Sequence, residues 1–183
     1  MNNKIKYTVL MIVFIFIFSL SGQSEYQQNI INKLRISVGD IPEGFIYGKV
    51  PSSYKNLFKD NPWMLDTVTI QKLAKNIYPD GDFRTIAGIH MSILADQRTP
   101  FGDDIVCFLI LYKNNKTAEK ELKKINDYTQ FNRDRAIVIS KNNLAVFLHV
   151  DDISNFHYIQ KMADNYEQKI EELESGSECA AIK

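Results

Sequence analysis

The sequence predicts an α+β domain: an antiparallel sheet with helices on one face, in the ferredoxin-like order β-α-β-β-α-β, plus an extra C-terminal strand and helix. Three observations predict it. Apolar runs at 85–96, 104–113, 135–140 and 144–150 have the length and alternation of strands. Stretches near 61–78, 117–129 and 153–173 carry apolar residues at helical spacing. Helices recur between antiparallel strands, the pattern that segregates them to one face of a sheet. The match to the ferredoxin-like motif is one of element order and carries no function with it.

The chain opens with Lys4 and Lys6, an apolar run from Tyr7 to Leu20, then Ser21, Gly22 and Ser24. A basic start, a short apolar stretch and small residues make the layout of a secretory signal peptide. Residues 1–22 are read as that signal, and export to the periplasm, cell surface or exterior is expected. The run is about 14 residues, short of the ~20 needed to cross a bilayer. An uncleaved anchor is the second reading and the only membrane contact expected. Residues 23–33 form a polar lead-in, 34–173 a single domain and 174–183 a flexible tail.

Short strands are expected at Leu34–Val38 and Phe45–Val50, around the turn-rich GDIPEG. Asn61 or Asp66 can cap the first helix, and Pro62 suits its first position, where no N–H is needed. Ile70, Leu73, Ala74, Ile77 and Tyr78 make its apolar stripe, and YPDGD stops it. In the next strand Ala87, Ile89, Met91, Ile93 and Ala95 alternate with Ile86, Gly88, His90, Ser92 and Leu94. After the loop QRTPFGD, the strand DIVCFLILYK is apolar on both faces, which suits a central strand covered on both sides. The helix that follows has Ala118, Leu122, Ile125 and Thr129 in line, Asn115 or Thr117 as cap, and a favourable Glu119–Lys123 pair. RAIVIS and LAVFLHV flank KNN as a hairpin. The last helix, Ile153 to Leu173, buries Phe156, Ile159, Ala163, Tyr166 and Ile170.

Composition excludes several classes. Lys plus Arg and Asp plus Glu both total 22, and no long block of like charge occurs, so no nucleic-acid partner is expected. Cys107 lies in a buried strand and Cys179 in the tail, neither in metal-ligand spacing, and a bridge between them is not expected. Nucleotide-loop, zinc-protease and nucleophile-elbow motifs are absent. No metal and no cofactor are expected.

Polar types concentrate in HVDDISNFH, residues 149–157. Strand phase turns His149 away from the helices, while His157 lies well over 90° from the stripe of the last helix, so the two cannot share a zinc ion. Asp152 precedes that helix and is read as its cap, with Asp151 favoured by the helix dipole. The candidate binding surface is the sheet face opposite the helices, where His90, Ser92, Phe147 and His149 are expected together, with Trp63 a further candidate. This patch is too polar for a core and too apolar for plain solvent. The expected function is ligand binding or protein association through that face, with a small molecule, a protein or a second copy as partner. The alternative is a small exported hydrolase using His90 or His149 as base. Catalytic residues are not identified, and the balance leans away from an enzyme.

Overall fold

The computed structural model describes residues 29–50, 63–65, 67–99 and 104–180. Contacts divide the chain into two units, Met1–Lys33 and Leu34–Lys183. Of the first, residues 29–33 are described and are helical. The expected signal segment 1–22, the caps Asn61 and Asp66, Pro62 and the loop 100–103 lie outside the described residues.

The second unit runs β1 (Phe45–Tyr47), β2 (Trp63–Leu65), α1 (Thr67–Ile77), β3 (Ile86–Asp96), β4 (Asp104–Tyr112), α2 (Asn115–Phe131), β5 (Ala136–Lys141), β6 (Leu144–Val150) and α3 (Phe156–Ala180). The sheet order is β1-β3-β4-β6-β5, with β2 also on the outer edge of β3. Every described pairing is antiparallel. Leu34–Val38, expected as a strand, instead leads into a short 3-10 turn at Val38–Asp40.

The ferredoxin-like pairing expected from the element order does not form. Its first two strands, β1 and β3, are direct antiparallel neighbours. One split unit is present: β4 and β5 run parallel, joined through α2, and the strand between them is β6, the extra C-terminal strand. Asn142, with φ 53°, makes the tight turn that folds β6 back into this slot. Asn tolerates this left-handed backbone better than most residues.

The helices cover both faces, which corrects the one-face expectation. Ile89, Ile110, Ala145 and Phe147 form a core with Ile70, Leu73 and Ile77 of α1 and Ala118 and Ile125 of α2. On the opposite face Cys107 meets Tyr166 of α3, whose buried side is Ile159, Met162, Ala163, Tyr166 and Ile170. The doubly apolar β4 requires this: Ile105, Leu109, Ile110 and Leu111 are all buried, although they point both ways. α3 also continues past Leu173 to Ala180, where a flexible tail is expected from the sequence. No proline interrupts ESGSECA, and a helix already nucleated extends cheaply.

Candidate functional site

Register separates the residues expected on one face. His90 pairs with Leu109 and Leu109 with Val146, while His149 pairs with Val106 and Val106 with Ile93. Since neighbouring residues in a strand face opposite ways, His90 and Ser92 point toward α3, and Phe147 and His149 toward α1 and α2. No joint site exists. Trp63 pairs with Met91 in β2, and its side chain lies outside the described part.

Under α3 the polar groups form a buried row. Ser92 faces Cys107 across β3 and β4, and the Cys107 thiol lies 3.3 Å from the Tyr166 hydroxyl. Burial pushes the thiol up to about 12, against a smaller opposing pull from that hydroxyl. Ser92 Oγ is buried with no partner among the described residues. His90 is 3% exposed, and burial, reinforced by the Arg35 charge, brings it down to about 4. It is therefore a neutral ring in a packed layer. Beside the row, Lys169 Nζ holds Asp40 Oδ1 at 2.6 Å. Burial works to raise the Asp40 carboxyl, but hydrogen bonds from Lys169 and Ser37 outweigh it and hold it low.

The start of α3 is fixed by a second polar group. Arg98 clamps Asp96 with two bonds, Nε to Oδ1 at 2.8 Å and Nη2 to Oδ2 at 2.7 Å, and donates to the Tyr158 hydroxyl at 2.8 Å. Its guanidinium lies 5.5 Å from the Phe45 ring centre and 5.4 Å from that of Tyr158. Gly44, with φ 88°, admits this packing, because a Cβ there would meet the Arg98 side chain at 3.1 Å.

On the other face, His149 is partly exposed. Its Nδ1 lies 3.8 Å from the exposed Asp151 carboxylate. Burial lowers its pKa; Asp151 pulls the other way and Arg135 adds to the lowering. Its cross-strand neighbours are Val106 and Ala136, which offer no nucleophile. Asp152 Oδ1 accepts the Ser154 N–H at 2.7 Å, at a short 3-10 turn that leads into α3. His157 is exposed, with Nδ1 2.9 Å from the Ser154 carbonyl.

A cluster that the sequence reading missed lies at the end of α1. Glu121 is fully buried and accepts from the Tyr78 hydroxyl at 2.8 Å, the Asp82 N–H at 3.0 Å and Lys124 Nζ at 2.6 Å. Tyr112 lies 3.2 Å from the Tyr78 hydroxyl. Burial pushes both tyrosines well above their ordinary value. The signal was present: Glu121 falls three residues after Ala118 and four before Ile125, inside the apolar stripe of α2. A charge in a buried stripe needs partners, and the YPDGD turn supplies them.

That turn and the end of α2 enclose an open depression of about 280 Å³, lined by Pro79, Asp80, Lys124, Asp127, Tyr128 and Phe131. Asp80 has φ 58° and its carbonyl accepts from Lys124 at 2.7 Å, so its place on the rim is fixed by the same lysine that serves Glu121. Tyr128 stands edge-on to Phe147, centroids 6.0 Å apart, and Phe147 stacks with Phe108. Phe131 is 87% exposed.

No known family model, curated protein or solved structure matches this chain. Among the described residues no cluster of three or more His, Cys, Asp or Glu is placed to hold a metal ion, and no helix is long and apolar enough to cross a membrane.

Proposed function

We propose that the chain is an exported association module that receives a side chain of a partner protein in the depression at the end of α2. The observation that carries this reading is Phe131, 87% exposed beside Tyr128 and Pro79. A phenylalanine left in water forgoes ~1.5–3 kcal/mol of burial. Aromatic residues are also enriched in the buried centres of interfaces. Export rests on the basic, apolar and small-residue layout of residues 1–22.

The test is a titration of the isotopically labelled full chain with N-acetyl-tryptophanamide, followed by NMR. Amide shifts are expected to be confined to residues around Asp80, Lys124, Tyr128 and Phe131, and to vanish in Phe131→Ser. Shifts scattered over the surface, or unchanged in the variant, would sink the reading.

The second reading, a small exported hydrolase, is supported by the His149–Asp151 pair at 3.8 Å. A base oriented by a carboxylate is part of hydrolytic chemistry, and a nucleophile within hydrogen-bond reach is the other part. The apolar neighbours Val106 and Ala136 supply none, so association is the stronger proposal. Turnover of p-nitrophenyl acetate that disappears in His149→Ala would reverse that order.

A further inference from the structure

We propose that the group entering this depression is an arginine side chain on a basic segment of the partner protein. The inference rests on the association reading above and adds the chemistry of the occupant. The charge of Lys124 is already answered by Glu121, in a 2.6 Å ion pair whose carboxylate is fully buried. The other two ionised groups of the lining, Asp80 and Asp127, are exposed, and among the described residues neither forms an ion pair. The rim is therefore acidic, while the walls, Tyr128 and Phe131, are aromatic. Rings attract a cation over their faces, and carboxylates accept its N–H groups. A guanidinium uses both at once because it is planar, always charged and weakly hydrated.

The fold already builds this arrangement once with its own residues. Arg98 sits with its guanidinium within 5.5 Å of the Phe45 ring centre and 5.4 Å of that of Tyr158, while binding Asp96 through two nitrogens. The depression offers the same parts, two aromatic rings and carboxylates, around a space open to solvent. Its rim is also pre-set: the Asp80 carbonyl is tied to Lys124 and the Tyr78–Glu121 bond anchors the turn, so little ordering is needed on binding.

The experiment compares short acetylated peptide amides carrying a central arginine, a citrulline or a tryptophan, bound to the labelled full chain and followed by NMR. Citrulline has the shape of arginine without the charge. The arginine peptide is expected to bind about tenfold more tightly than the citrulline peptide, to weaken as salt rises, and to lose most of that advantage in Asp127→Asn and Asp80→Asn. Both substitutions are on the exposed rim, and amide spectra of the variants unchanged away from the depression would show that the fold is kept. Equal binding of arginine and citrulline at these residues would overturn the arginine inference and leave the association reading standing. Absence of binding by all three would overturn both. Binding of agmatine alone as tightly as the arginine peptide would mark a small-amine site and overturn the protein partner.

Discussion

At the scale of single residues, His90 is a buried ring on the face of the sheet under α3, while His149 lies half-buried on the opposite face, 3.8 Å from Asp151. His90 and His149 both lie in strands whose alternation is plain in the sequence, yet neither strand states its phase relative to the other. That phase is set by register through β4, and one residue of slip moves a whole set of side chains to the other face. His90 therefore became a core ring, and its burial has a consequence for stability. Its folded pKa of about 4 is below the ordinary 6.5. The unfolded chain thus binds a proton more readily between those values, and stability rises with pH across that window. The contribution is complete above pH 6.5 and is lost as pH falls toward 4, by on the order of 3 kcal/mol. His149 acts in the same direction. Urea titrations from pH 4 to 7 should show this slope, and His90→Leu should flatten most of it. A variant with an unchanged slope would mean that His90 is not the titrating group.

Among elements, the longer helices and strands were the most legible part of the sequence, whereas Trp63–Leu65, expected in the first helix, is the strand β2. The stripe Ile70, Leu73 and Ile77 places α1, and the doubly apolar β4 sits at the centre of the sheet as its composition requires. The side each helix takes was not legible, because an amphipathic stripe says that a face is buried and not against what. The same limit hid Glu121, which the stripe of α2 carries into the core. Its neutral-looking role is structural: it joins α2 to the turn after α1 through Tyr78, the Asp82 N–H and Lys124. Glu121→Ala removes the carboxylate shared by Tyr78, the Asp82 N–H and Lys124, leaving Lys124 the Asp80 carbonyl and Tyr78 the Tyr112 hydroxyl. It should destabilise the protein by about 3 kcal/mol in thermal or urea unfolding, the range seen when one member of a buried pair is removed. A loss under about 1 kcal/mol would show that water replaces the carboxylate. Depression residues such as Phe131 were also beyond sequence reasoning, since exposure of an apolar residue at a helix end is decided by tertiary packing.

For the whole molecule, the strand and helix order fits more than one sheet. What decides between them is where the last strand goes, and β6 enters between two strands already made. This insertion has a consequence for synthesis. A chain emerging from its N-terminus completes β4 and β5 before residues 144–150 exist, so neither can reach its final neighbour until the hairpin is finished. The central ladder closes late, and the long-range pairings that close late slow folding. If the chain is exported as proposed above, delayed closure would keep it open while it is threaded through a membrane channel. A chain ending at Lys141 should accordingly remain unfolded by circular dichroism and exchange its amides rapidly. One ending at Leu173 should fold. If the shorter chain folded on its own, the sheet would not depend on its last strand, and the late-closing order would have to be given up.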